Sequence, residues 1–162
     1  MVKRGLLAAG LVAATGTAGL TVFLGLSVLM APASARAAVQ HVCSAGDKGF
    51  ITSAQLDMGA LELWGQEYQQ GDADAGAVID QANGAAARIR DTAPQDPTLL
   101  TTRAVLVSMF TEYAKAVRAK ENGKDAGPSI ARAYTLANTA HELLSDARPA
   151  LKSRGCDPAP LL

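Results

Sequence analysis

The run DPTLLTTRAVLVSMFTEYAKAVRAKENG, Asp96 to Gly123, decides the fold. Asp96 offers a side-chain acceptor to the free N–H groups of a first helical turn. Pro97 follows at the helical position where a missing N–H costs nothing. Leu99, Leu106, Phe110, Tyr113 and Val117 then recur at the spacing of one helix face, flanked by Leu100, Val107 and Ala114. Asn122-Gly123 closes the run. A long helix with one apolar side needs other apolar faces to cover it.

The flanking sequence supplies three such faces. Before this run, Asp74 to Asp91 carries Ala75, Val78, Ile79, Ala82, Ala86 and Ile89 on one side, and Pro94 ends it. Those residues are mostly small, so a neighbour can approach closely. Earlier still, Thr52-Ser53-Ala54-Gln55 fits a capping box, with Thr52 as N-cap. Ala54, Met58, Leu61, Gly65 and Tyr68 follow in a stripe with Trp64 at its edge, and Gly71 is the stop. After the run, a fourth helix is expected from near Pro128-Ser129. Ile130, Ala133, Tyr134, Ala137, His141 and Leu144 share its face, Pro149 kinks or ends it, and a short turn covers Ala150 to Arg154.

Four amphipathic helices with short polar connections predict an all-α, up-down-up-down four-helix bundle. β-branched alternation is absent. In that topology the start of the first helix and the end of the last share one pole. Cys43 and Cys156, the only cysteines, flank those two points, so they are expected to form one disulfide.

Residues 1–37 read as an address. Lys3-Arg4 is a basic start, Gly5 to Ala35 holds no charge, and Pro32 is followed by small residues. Ala33-Ser34-Ala35 and Ala35-Arg36-Ala37 both fit an A-x-A cleavage pattern, which makes Ala35 and Ala37 the cleavage region of a secretory signal. The apolar stretch at residues 5–30 is also long enough to stay as a transmembrane anchor, the alternative outcome. Residues 38–162 are then one exported helical domain, secreted or held at the extracytoplasmic face of the membrane.

Composition excludes several functions. The chain has 162 residues, with 15 Lys and Arg against 15 Asp and Glu. Loss of Lys3, Arg4 and Arg36 leaves twelve basic and fifteen acidic residues, so no nucleic-acid partner is expected. His141-Glu142-Leu143-Leu144-Ser145 lacks the second His of a zinc protease motif, and no metal or catalytic residue is assigned. No G-x-S-x-G elbow or phosphate-cradling loop is present, so an enzyme is not expected.

Two functional readings follow. The first is a non-enzymatic interaction or accessory module of the cell envelope with a protein partner. The second is a carrier with a small apolar ligand, haem or a lipid-like molecule, inside the bundle. For the second, His141, Tyr113, Tyr134 and Met109 are candidates because antiparallel pairing sets them at similar levels. Arg103, inside the stripe of its helix, is a candidate for an anionic group. The plainer expectation is a buried His141 with one hydrogen-bond partner, and an Arg103 paired with Glu142 or Asp146. No resident cofactor is expected.

Overall fold

A computed structural model describes residues 42–162. Within them the chain forms four α-helices: α1 (Ala45–Gln70), α2 (Ala75–Asp91), α3 (Pro97–Glu121) and α4 (Gly127–Ser153). A 3-10 turn, Ala159–Leu161, follows, and no strand occurs among the described residues. The signal and anchor reading of residues 1–37, with Ala35 and Ala37, lies outside the described residues, as does His41. No helix within them is long and apolar enough to cross a membrane.

The cap of α3 is the one the sequence predicts, and Asp74, read there only as the start of the second helix, caps α2. Asp74 accepts from the Ala77 N–H at 2.8 Å. Asp96 accepts from Thr98 at 2.8 Å and, more weakly, from Leu99 at 3.4 Å, with Pro97 in the first turn. α1 differs from expectation, starting seven residues before Thr52. Ser44 is its N-cap, and the capping box is Ser44 with Asp47. The earlier start lets Phe50 and Ile51 enter the core from the helix. α4 also differs, because Pro149 neither stops it nor leaves a separate turn. An interior proline costs about 3 kcal/mol. Here Pro149 faces solvent, while Leu151, two residues on, is fully buried and its carbonyl accepts from Arg154 and Cys156. That docking holds the last turn in place.

α3 packs along both α2 and α4, and α1 packs on α2. Phe50, Ile89, Leu99, Leu106, Phe110, Leu144 and Leu151 form the innermost core. Ala82, Ala85 and Ala86 give α2 a fully covered small-residue face. No Cα of α1 comes within 8 Å of a Cα of α4. The gap between them is filled at one end by the 3-10 turn, which touches both helices. Leu161 is its buried side chain.

One pole is tied by a dense set of bonds. Cys43 and Cys156 form the expected disulfide, with Cα atoms 5.3 Å apart across a sequence separation of 113. The Cys43 N–H donates to the Arg154 carbonyl at 3.0 Å. Arg154 pairs with the buried Asp96 at 2.8 Å. Asp47, with no exposed surface, accepts from the Ser44 N–H and hydroxyl and from the N–H groups of Gln95 and Asp96. Gly46 is needed where α1 passes the α2–α3 connection. A Cβ there would lie 2.1 Å from the Ala93 carbonyl oxygen.

Candidate functional site

The separation of α1 from α4 leaves a trough with α3 as its floor. Leu61, Tyr68 and Met58 stand on the α1 wall, Ile130, Tyr134 and Ala137 on the α4 wall, and Met109 and Tyr113 below. The upper part, toward the α3–α4 turn, has a volume of about 380 Å³. The lower part, about 790 Å³, runs to Pro160, Leu161 and Leu162. Both fall in the range of small-molecule clefts, about 300–1,000 Å³. Large apolar side chains at the edge remain in water. Tyr134 is 71 % exposed, Ile130 49 % and Leu162 40 %.

Tyr68 fixes the upper end of the α1 wall. Its hydroxyl donates to Glu121 at 2.7 Å, and the Lys120 ammonium lies 4.8 Å from its ring centre. The hydrogen bond to Glu121, then burial, hold the Tyr68 phenol above its ordinary range. Burial does the same to Tyr113. Tyr113 reaches α1 because residue 65 is glycine, where a Cβ would stand 2.8 Å from its hydroxyl oxygen.

The predicted ligand residues divide. Tyr113, Tyr134 and Met109 line one cavity. His141 lies on an adjoining hollow with Leu106, Leu144 and Leu161, reached from the lower trough through Ala137. The expected burial of His141 is corrected: its side chain is exposed, as is that of Tyr134. Both sit on the flank of α4 that a closed bundle would cover with α1. Arg103 is elsewhere. Its guanidinium donates to the Thr92 carbonyl at 2.6 Å, at the C-terminal end of α2. It pairs with neither Glu142 nor Asp146 and does not line the trough. Trp64 does not line it either.

The sequence reading missed Lys120 and the tail, and placed Ile130 on the face of Tyr134 without making it a site residue. Lys120 continues the Leu99, Leu106, Tyr113 register at seven-residue spacing, but its charge kept it out of the apolar stripe, and its position beside Tyr68 depends on how α1 and α3 cross. Leu161 follows two prolines in a stretch with no helical period, so only its apolar character marked it.

The other cluster of reactive groups is Cys43, Asp47 and Cys156, whose ligand atoms lie within 4.8 Å of one another. The two sulfurs are bonded to each other, and Asp47 is engaged by four donors. Burial raises the Asp47 pKa, but the hydrogen bonds from Asp96, Ser44 and Gln95 outweigh it and hold the carboxyl at about 2. This cluster is a structural tie. Compared with protein families, with curated proteins and with solved structures, the chain matches none.

Proposed function

We propose that this protein is an exported, non-enzymatic binding domain that carries a small apolar molecule in the trough between α1 and α4. The carrying observation is the trough itself, an aliphatic and aromatic concavity whose edges keep Tyr134 and Ile130 in water. Exposed contiguous apolar surface of this kind marks binding. Short connections between consecutive helices favour an up-down-up-down course, with the α1–α4 seam left open to serve as the site. The basic, apolar, small-residue order of residues 1–37 supports export, and a disulfide suits an oxidising compartment. Work at the cell envelope follows from that address, whether the signal is removed or kept.

A lipid-like ligand fits this site better than haem. His141 and Tyr134 are separated by seven residues of α4, a rise of about 10 Å, and so cannot ligate one iron together. A second reading, a protein-interaction module, draws on Leu56 and Leu63, seven residues apart on α1 and 68 % and 55 % exposed. Native mass spectrometry of the full chain from its own cells tests the first reading. A bound small molecule, released on activation and absent from an Ala137→Trp variant, is the expected result. Ligand-free protein in both membrane and medium fractions, with no uptake of added aliphatic probes, would sink it.

A further inference from the structure

The trough is chemically polar in one direction, and this names a ligand class. Lys120 is the only charged residue lining its upper part among the described residues. Among the described residues Lys120 makes no ion pair. The carboxylates nearest in sequence at that end are engaged: Glu121 accepts the Tyr68 phenol at 2.7 Å, and Asp125 accepts the Gly127 N–H at 2.8 Å. The charged residue of the lower part is an acid, Glu62. The lining therefore presents a cation at the upper end and an anion toward the lower, with the Glu121 carboxylate outside the lining and bonded to Tyr68.

Between them the α3 floor and the α4 wall are largely aliphatic and aromatic, and Gln66 and Gln69 are polar side chains on the α1 wall. From Lys120 to Met109 the floor helix rises about 16 Å. The chain's own tail shows what cross-section the gap accepts lower down. There Leu161, 7 % exposed, shares one space with Met58 of α1 and Leu144 of α4. A single short turn of chain, with Leu161 as its buried side chain, occupies the gap there, not a helix.

We infer that the trough takes a single-chain alkanoate, the anionic amphiphile of the fatty-acid class, with its carboxylate at Lys120 and its chain running toward Leu161. This rests on the binding reading above and adds the ligand's charge, its orientation and its end stop. Charge selects the head, because a carboxylate gains a partner at Lys120 and is repelled near Glu62. Leu161 and Leu162 close the far end, so chain length is set by the tail.

The test uses the full chain with two probes below their micellar concentrations, dodecanoate and dodecyltrimethylammonium. Titration calorimetry gives affinities, and ¹³C-methyl signals of Met58 and Met109 report the site. Dodecanoate is expected to bind more tightly and to shift the Met109 methyl. Lys120→Gln should weaken dodecanoate about three- to fivefold, the scale of an exposed ion pair. Lys120→Glu should reverse the order of the two probes. Leu161→Ala should move the preferred alkanoate to a longer chain.

Equal affinities for both probes, unmoved by either Lys120 variant, would overturn the alkanoate assignment and leave the trough as a binding site. Failure of both probes to bind would overturn the binding reading with it. Binding that leaves both methionine methyls unmoved would place the ligand elsewhere and overturn the inference. Ala137→Trp, checked for folding by its thermal transition, should abolish both interactions. If it does not fold, the methionine signals of the wild-type protein still decide the location.

Discussion

The two ends of α1 are built on opposite principles. At its start every strong polar group has a partner: Ser44 and Asp47 bond reciprocally, Asp47 also holds Gln95 and Asp96, and Arg154 answers Asp96. Beyond its midpoint α1 faces a gap, where Tyr68 and the Gly65–Tyr113 approach tie it to α3. A saturated pole resists local opening because each broken bond strands a buried group. An apolar gap has no such penalty and can exchange water for a ligand. Stability and binding are therefore expected to respond to different substitutions.

The largest effect should come from the pole. Replacing both cysteines by serine removes a cross-link spanning 113 residues, which is expected to cost about 4–5 kcal/mol in the chain-entropy model. Urea titration measures the loss. Below the transition, the Met109 methyl signal should stay where it is in the wild type. A Met109 shift as large as that caused by an occupied trough would show that pole and trough are coupled.

Asp47 comes next. Its carboxyl is held at about 2, below the ordinary value of 3.8. A lowered native pKa stabilises the fold fully above the unfolded value and is lost as pH falls through the native one. The contribution, at most about 2 kcal/mol, should thus be intact above pH 4 to 5 and disappear toward pH 2. Urea midpoints between pH 6 and 2 should show this decline. Asp47→Asn should lower stability at neutral pH and flatten the decline. An unchanged pH profile in that variant would remove Asp47 from the account.

A smaller effect tests the α1–α3 approach. Alanine in a helix interior is favoured over glycine by about 1 kcal/mol. At residue 65 that gain meets the Tyr113 hydroxyl at 2.8 Å, whereas the ring carbon behind it is 3.9 Å away. Gly65→Ala should therefore be neutral or destabilising in the wild type. In a Tyr113→Phe background it should stabilise by about 0.5–1 kcal/mol. Equal effects in both backgrounds would mean the phenol moves aside freely.

The same contrast explains what could be read from the sequence. Helix type, the α3 cap and the disulfide were legible because each depends on local pattern or on which pole the termini share. The start of α1 was misplaced because the Thr52 box resembles a cap as closely as Ser44-Ala45-Gly46-Asp47 does. The burial of Phe50 and Ile51 and the bonds that Asp47 accepts from Gln95 and Asp96 separate them. The trough was half legible. Tyr113, Tyr134 and Met109 came from periodicity, but a stripe cannot say whether a neighbour covers it. His141 was read as buried for that reason, and the missing α1–α4 contact is a property of packing angles. Arg103 failed similarly, since the carbonyl it meets lies at the end of another helix.

The smallest expected change in stability is at Tyr134, and it separates the two regions most cleanly. Its ring is 71 % exposed, so Tyr134→Ser should alter unfolding free energy by less than about 0.5 kcal/mol. An exposed aromatic contributes little to the fold, but a ligand that covers it gains buried apolar area at about 25 cal/mol per Å². Dodecanoate affinity should fall several-fold in this variant while the urea midpoint holds. The reverse pattern, a lost midpoint with affinity retained, would show that Tyr134 belongs to the packing of α4 and that the trough binds without its α4 wall.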